Sequence, residues 1–212
     1  MNTYILTCKE LNCITRLENI DKIKSKHIFP NISVINGYSK FNLNDKFNIF
    51  NNNIYNDGWG DKRWNKPNLA VSYGHYKIWL EIQHKKQIGI VLEDDINPID
   101  NINYDKYITN LVNEAKKIDN DKYLITLWKN GISHFEHKQH SFLNVIPSYG
   151  NSGALFYILT PKVATILIEN FKNIECPVDH YILGMGKFNE PYSILCSKEN
   201  MINTGILESI RY

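Results

Sequence analysis

The sequence predicts an α/β protein with a mostly parallel, twisted sheet and helices on both faces. Apolar segments of strand length alternate with segments of helical periodicity through the first half of the chain, which is typical of doubly wound sheets. Residues 88–92 (IGIVL) contain no polar side chain, as expected of a strand buried on both faces. The chain has 212 residues, 43% of them hydrophobic, which is enough for one well-buried core. We therefore expect a single domain spanning residues 1–212.

In the first half we predict three strands and two helices in alternation. The strands are residues 4–8, 27–35 and 88–92, and the helices are residues 11–23 and 68–86. Apolar spacing in the first helix runs through Leu11, Ile14, Leu17 and Ile20. The second helix follows Pro67 and carries one apolar face, made of Leu69, Tyr73, Tyr76 and Leu80.

The second half mixes strands and helices less regularly. We predict a helix at residues 104–118 and strands at residues 123–128, 141–146, 153–159 and 193–196. Thr160 and Pro161 are suited to the N-cap and the first position of another helix, which continues to residue 168.

The clearest candidate site is the acidic triplet Glu93, Asp94 and Asp95, directly after the strand at residues 88–92. Ligands of α/β sheets bind beyond the carboxyl ends of the strands. If the extended geometry persists, Glu93 and Asp95 point to one side of the sheet and Asp94 to the other. Two carboxylates together suit a hard divalent cation such as Mn²⁺ or Mg²⁺, which completes its shell with phosphate oxygens and water. The alternative is an acidic turn that only ends the strand.

Composition and missing motifs exclude several classes of protein. The net charge of +2 gives no electrostatic reason to expect nucleic acid as a partner. No segment approaches the length of a transmembrane helix, and the N-terminus lacks a signal-peptide pattern, so we expect a cytoplasmic protein with reduced cysteines. A fragment of a longer secretory-pathway chain would look the same. The glycine-rich phosphate loops of common nucleotide-binding proteins are also absent.

Three histidine-containing segments have both a functional and a structural interpretation. His134, His137 and His140 have a spacing that Zn²⁺ ligands can use, but their polar surroundings favour a solvent loop. Asp179-His180 follows Pro177 and presents either an N-cap or a general base. His75 lies on the predicted 68–86 helix, where it packs internally or contacts a ligand.

Taken in order, several of these segments resemble glycosyltransferase family 25, which includes bacterial lipooligosaccharide galactosyltransferases and collagen hydroxylysine galactosyltransferases. Gly74-His75 with Trp79 is similar to the family's Ser-His…Trp helix, and residues 90–95 (IVLEDD) to its Leu-Glu-Asp-Asp strand end. Residues 150–164 resemble its glycine-led strand and Thr-Pro-Lys helix start, and residues 177–179 (PVD) its Pro-x-Asp segment. The ending at residues 209–211 is a weaker match.

The chain departs from the family pattern at three places. The Gly-Glu-x-Gly-Cys run before the Ser-His pair is replaced by residues 67–71 (PNLAV). Gly74 stands where the family has serine. The arginine-rich turn after the first strand is reduced to Lys9 and, further along, Arg16.

The resemblance implies a GT-A fold, with a nucleotide-sugar half at residues 1–100 and an acceptor half at residues 101–212. It implies transfer of galactose or glucose from a UDP-sugar to a hydroxyl of a glycan or protein, with inversion. On this reading Asp95 and Glu93 hold Mn²⁺ (or Mg²⁺), and Asp179 is the catalytic base. Glu93, Asp94 and His75 contribute to donor binding, although His75 is expected to brace its helix against the acidic turn. Aromatic side chains such as Trp59 and Trp64 are candidates for stacking on sugar or uracil.

Two other functions remain open from the sequence. A non-catalytic descendant that binds glycan or a partner protein is consistent with the missing Gly-Glu-x-Gly-Cys run. A metal-dependent phosphoesterase could use the same acidic triplet, but it would normally need a second cluster of carboxylates or histidines for a second metal.

Overall fold

The computed structural model describes residues 1–9, 13–39, 66–128, 141–145, 154–171, 178–185 and 191–203. In chain order the elements are β1 (Asn2–Thr7), α1 (Ile14–Ser25), β2 (Ile32–Asn36), α2 (Lys66–Lys85), β3 (Gly89–Glu93), β4 (Asn97–Pro98), α3 (Tyr104–Ile118), β5 (Tyr123–Thr126), β6 (Leu143–Val145), β7 (Phe156–Leu159), α4 (Pro161–Asn170), α5 (Val178–His180), a π-helical turn (Tyr181–Met185), β8 (Ser193–Ser197) and β9 (Ile202–Asn203). No helix within these ranges has the length and apolar character needed to cross a bilayer.

The main sheet has seven strands in the order β2-β1-β3-β7-β5-β8-β6. Strands β2, β1, β3, β5 and β8 run in one direction, whereas β7 and β6 run in the opposite direction. Strand β7 lies between β3 and β5, with Tyr157 paired to Val91 and to Thr126. This sheet runs through both predicted halves of the chain. The division at residue 100 stays a prediction.

Alternate residues of the central strands point into two separate cores. On β3, Val91 belongs to the core under α2, α4 and α5, whereas Ile90 and Leu92 belong to the core under α1 and α3. On β7, Tyr157 and Phe156 divide in the same way. A strand with apolar side chains on both faces is expected where helices cover both faces. The predicted fold class, a mostly parallel sheet with helices on both faces, is therefore confirmed.

Helix α1 buries a face that shares only Ile20 with the predicted one, and α2 buries a wider face that includes the predicted Tyr73 but not Leu80. In α1, Ile14 is 69% exposed and Leu17 is 37% exposed, while the buried side chains are Arg16, Ile20 and Ile23. The apolar spacing was misleading because the helix turns a cation, Arg16, towards the end of β3. In α2, Leu80 is 39% exposed, because the helix packs against the sheet and α4 through that wider face, which includes His75, Ile78, Trp79 and Ile82.

Helix α2 lies unusually close to the sheet at Gly74. A Cβ atom there would lie 2.6 Å from Leu6 Cδ1 and 3.0 Å from Leu6 Cδ2, closer than ordinary van der Waals contact. Leu6 of β1 thus occupies the space that the side chain of a serine, the family's residue at position 74, would need.

Several element boundaries follow from local chemistry. Helix α3 covers the predicted residues, and Asn103 caps it by accepting a hydrogen bond from the backbone N–H of Lys106 at 3.0 Å. Thr160 caps α4 as predicted. Strand β2 begins later than predicted, since His27 and Asn31 have φ values of 50° and 46° and turn the chain before it. The short β4–β9 ribbon was not predicted, because two-residue strands have no periodicity to detect.

Candidate active site

The acidic triplet forms a turn at the carboxyl end of β3. The backbone N–H of Glu93 donates to Leu155 O at 2.9 Å, which extends the pairing of β3 with the chain leading into β7. The chain then turns at Asp94 and Asp95, and the N–H of Ile96 points back at Glu93 O at 3.5 Å. The extended geometry therefore ends at Glu93, and the expected alternation of side chains does not continue to Asp95.

Helix α1 holds this turn through Arg16 and Asn19. The Arg16 guanidinium forms an ion pair with Asp94 Oδ1 and lies 3.3 Å from Asp95 Oδ2. Arg16 is only 5% exposed, so this pairing takes place out of solvent. The Asn19 amide donates to the backbone oxygens of Asp94 and Ile96, at 2.9 and 2.7 Å. The two aspartates thus share one cationic partner on a fixed backbone.

The local charge balance is nevertheless negative. Burial, and secondarily the charge of Glu93, raises the pKa of Asp95 to about 6, although Arg16 opposes the shift. Burial also raises the pKa of Asp94, with Arg16 and the Thr7 hydroxyl acting in the opposite direction. In addition, Asp95 Oδ1 is buried and has no hydrogen-bond partner among the described residues. Among the described residues, Arg16 is thus the cation paired with both aspartates, and the Glu93 carboxylate beside them adds a further negative charge.

Helix α2 holds the other end of the turn through His75. Its Nε2 lies 3.3 Å from Glu93 Oε1, and its Nδ1 lies 2.9 Å from the Tyr157 hydroxyl. The indole N–H of Trp79 donates to the same hydroxyl at 3.0 Å. His75 and Trp79 are one helical turn apart, and both are fully buried. The acidic turn is therefore held from both faces of the sheet, by the Arg16 guanidinium on one face and by the hydrogen-bonding side chains of α2 and β7 on the other.

The comparison with protein families agrees with this geometry. The family described as Glycosyltransferase family 25 (LPS biosynthesis protein) matches residues 10–182, which is most of the chain. The chain belongs to glycosyltransferase family 25. The matched segment contains Arg16, His75, the acidic turn and Asp179. Membership makes the protein a transferase with a sugar donor and an acceptor.

Comparisons outside the family add little to this assignment. No curated protein matches the chain. Among solved structures, it is similar to one titled as a putative glucose-1-phosphate thymidylyltransferase from Bacillus anthracis in complex with a sucrose. That similarity has 13% identity and a TM-score of 0.39, and covers 92% of this chain and 88% of the other. At that level it says nothing about function.

The side chains around the acidic turn decide how a divalent cation could be held there. The described ranges contain no group of three or more His, Cys, Asp or Glu side chains arranged to hold a metal ion. A closed, all-protein metal cage is thus not found in that part of the chain. The unpartnered Oδ1 of Asp95 and the negative surplus fit a cation that is held by one or two carboxylates and by phosphate oxygens. The donor set therefore fits Mg²⁺ or Mn²⁺ bound together with a diphosphate.

The predicted donor-binding residues differ in how accessible they are. Glu93 and Asp95 retain 21% and 20% side-chain exposure, whereas Asp94 has 3% and His75 has none. In this conformation His75 braces α2 against the turn, and Asp94 is occupied by Arg16. Direct contact of either residue with the donor stays a prediction.

The predicted base, Asp179, lies on α5 at the α2 face of the sheet. Its Oδ1 accepts a hydrogen bond from the backbone N–H of His180 at 2.9 Å. The following Tyr181 stacks on Trp79 with ring centroids 6.0 Å apart, so α5 packs against the helix that carries His75. The catalytic role of Asp179 stays a prediction.

Sequence reasoning did not assign Arg16, Asn19 and Tyr157 to the site. A signal for the first two existed, since Arg16, Asn19, Ile20 and Ile23 lie at i, i+3, i+4 and i+7 and so share one helix face. Tyr157 had no local signal, because its partners come from α2. Other predictions fall outside the described residues, namely those on Trp59, Trp64, the His134–His137–His140 set and residues 150–153, 177 and 209–211.

Proposed function

We propose that this family 25 protein transfers galactose or glucose from a UDP-sugar to a hydroxyl group of a glycan or protein, with Mn²⁺ or Mg²⁺ as cofactor and with inversion at the transferred carbon. The observation that carries the proposal is the excess of buried carboxylate at the carboxyl end of β3 among the described residues, where Asp95 has an oxygen that none of them partners and a pKa of about 6. Buried carboxylates in excess of their counter-charges either take up a proton or bind a cation, and groups with such raised pKa values cluster at functional sites.

In this proposal Asp95 and Glu93 hold the cation. When bound, it would stabilise the negative charge that develops on the diphosphate as the sugar–phosphate bond breaks. Arg16 holds the Asp95 carboxylate and Asn19 holds the backbone on either side of it, so that the site need not reorganise during the reaction. His75 does the same for the Glu93 carboxylate.

Inversion requires a group that takes the proton of the acceptor hydroxyl as that oxygen attacks the sugar. Asp179 is our candidate for this general base, because a half-buried carboxylate can accept a proton from a bound hydroxyl. The family resemblance of residues 177–179 supports this choice.

A UDP-release screen tests the proposal. The protein is incubated with a panel of UDP-sugars, with and without Mn²⁺, in the presence of simple glycoside and peptide acceptors. We expect UDP release that depends on both cation and acceptor. We expect Asp95→Ala to lower turnover by about 100-fold or more, the effect of removing one transition-state charge contact, while the fold survives.

Asp100→Ala is the matched control for that variant. Asp100 is an exposed aspartate on the same segment and pairs only with Lys26 among the described residues. Its removal should leave turnover unchanged. Full cation-dependent activity in Asp95→Ala would remove Asp95 from the metal site.

A non-catalytic descendant of the fold is the second candidate. It is favoured by the absence of the Gly-Glu-x-Gly-Cys run and by Arg16, which already neutralises part of the acidic turn. Calorimetry with UDP and Mn²⁺ separates the two functions, since no heat of binding at millimolar ligand supports the non-catalytic one. A phosphoesterase is less well supported, because the described residues offer no second cluster for a second metal.

A further inference from the structure

The hydroxyl of Tyr157 lies between two nitrogen atoms in the buried layer under α2. Trp79 Nε1 is 3.0 Å from it and His75 Nδ1 is 2.9 Å from it. These two nitrogens are its partners within the described part of the chain. Burial raises the pKa of Tyr157, so the hydroxyl keeps its proton at neutral pH. A protonated hydroxyl has one hydrogen to donate and can accept hydrogen bonds from others.

The direction of each hydrogen bond follows from the chemistry of the partners. An indole nitrogen is only a donor, so Trp79 donates to the Tyr157 oxygen. The single hydroxyl hydrogen of Tyr157 then has His75 Nδ1 as its acceptor. His75 Nδ1 must therefore be unprotonated, and the neutral ring carries its proton on Nε2. That proton points at Glu93 Oε1, 3.3 Å away.

The other protonation patterns leave a buried polar group unsatisfied. With the proton on Nδ1 alone, the lone pair of His75 Nε2 would face a carboxylate oxygen of Glu93. With both nitrogens protonated, the fully buried Tyr157 oxygen would receive two donors, and its own hydrogen would have no acceptor among the described residues. Unsatisfied buried polar groups are destabilising, so the first pattern is favoured.

We propose that Tyr157 is a positioning residue of the acidic site: it fixes His75 as the Nε2–H tautomer, which donates a hydrogen bond to Glu93 and sets the direction of that carboxylate. Hydrogen bonds are donated from Trp79 to Tyr157, from Tyr157 to His75 and from His75 to Glu93. We call this chain of hydrogen bonds, which joins α2, β7 and β3, the relay. Trp79, Tyr157 and His75 are buried, and Glu93 is the member of this relay that keeps side-chain exposure. The effect on catalysis rests on the proposed function, whereas the tautomer does not.

The tautomer is measured in the resting protein by nuclear magnetic resonance. Protein labelled with ¹⁵N-histidine is recorded near pH 7.5, and the His75 signals are identified by their loss in His75→Gln. We expect an unprotonated shift for Nδ1 and a protonated shift for Nε2. An Nδ1–H tautomer or an imidazolium in the wild-type protein would overturn the proposal.

Two tyrosine variants test the part played by the hydroxyl. In Tyr157→Phe, the Nδ1 shift should move and the tautomer should become mixed. Under the proposed function kcat/KM should fall by about ten- to a hundredfold, as when outer residues that orient a ligand are removed. Tyr123→Phe is the control, because Tyr123 is a buried tyrosine of β5 whose hydroxyl has no hydrogen-bond partner among the described residues. It should match the wild type in both measurements.

The two readouts separate failure of the relay from failure of the function. An unchanged His75 spectrum in Tyr157→Phe overturns the relay, whatever the activity. The expected tautomer in a wild-type protein that turns over no UDP-sugar supports the relay and removes the proposed function. An expected spectrum with equal kcat/KM in Tyr157→Phe and Tyr123→Phe contradicts the positioning role.

Discussion

The two faces of the sheet hold the acidic turn by different kinds of interaction. On the α1 face, Arg16 brings a full positive charge to Asp94 and Asp95. On the α2 face, His75 and Tyr157 bring hydrogen bonds, and on the tautomer we propose they bring no net charge to Glu93. Charge neutralisation and orientation are therefore divided between the two faces, and the turn as a whole stays negative.

This difference separates the carboxylate that has a structural role, Asp94, from the two that are available to bind a cation, Asp95 and Glu93. Asp94 pairs with Arg16 through its Oδ1 and has almost no exposure. Asp95 and Glu93 keep part of their surface and their excess charge. A buried carboxylate without its full complement of partners lowers stability, and such local cost is typical of functional sites.

Removal of the charge on the α1 face should have the largest effect. We expect Arg16→Met to lower the free energy of unfolding by about 3–5 kcal/mol at pH 7, because it leaves two buried aspartates without their cation. The loss should shrink as the pH falls and these carboxyl groups become protonated. Urea denaturation at several pH values measures it.

The control for Arg16→Met is Lys26→Met, which removes the exposed partner of Asp100. That change should leave the free energy of unfolding almost unaltered. In the double variant Arg16→Met/Asp94→Asn, part of the loss should return, since one uncompensated charge is gone. A loss below about 1 kcal/mol in Arg16→Met would contradict a buried, stabilising ion pair.

Changes on the α2 face should affect turnover more than stability. We expect His75→Leu to lower kcat/KM by about ten- to a hundredfold, because Glu93 loses the donor that orients it. His75→Gln keeps an amide donor and should retain a larger share of the activity. Equal activities of the two variants would show that the donor at this position has no role.

The smallest effect should come from removal of the Asp95 charge, which we expect to stabilise the protein. The folded-state pKa of about 6 lies above the model value of 3.8, so the ionised form lowers stability above pH 6. As the pH falls from 7 towards 4, the folded protein takes up this proton first and the free energy of unfolding rises. Asp95→Asn should therefore raise the free energy of unfolding at pH 7 by roughly 1–3 kcal/mol.

That gain should disappear near pH 4, where Asp95 is protonated in the wild type as well. Urea denaturation of the two proteins at pH 7 and pH 4 provides the comparison. A destabilised Asp95→Asn at pH 7 would mean that Arg16 outweighs burial at this carboxylate, against the assignment of a negative surplus.

The parts of the fold that were predictable are those with a local cause. The cap of α3 at Asn103 and its buried face lie in one short segment of sequence. Strand β3 is predicted by an apolar run that is followed directly by acidic residues. The face of α1 was wrong because a buried Arg16 depends on Asp94, 78 residues further along the chain. Long-range charge pairs leave no periodicity in the sequence.

The same distinction applies to the candidate site. The acidic triplet was found because three carboxylates follow one strand, and the family resemblance supplied the roles. The relay from Trp79 through Tyr157 was not found, because β7 reaches β3 only through the topology of the sheet. His75 and Trp79 were visible as neighbours on α2, but their common acceptor was not.

The central claim is that Asp95 and Glu93 hold a divalent cation together with the diphosphate of a sugar nucleotide. A crystal structure with UDP and Mn²⁺, recorded so that manganese is identified by its anomalous scattering, tests this claim most directly. We predict a manganese peak within coordination distance of an Asp95 carboxylate oxygen and bridged to the diphosphate. Bound UDP with manganese absent from both carboxylates, or with the acidic turn facing away from the nucleotide, would contradict it.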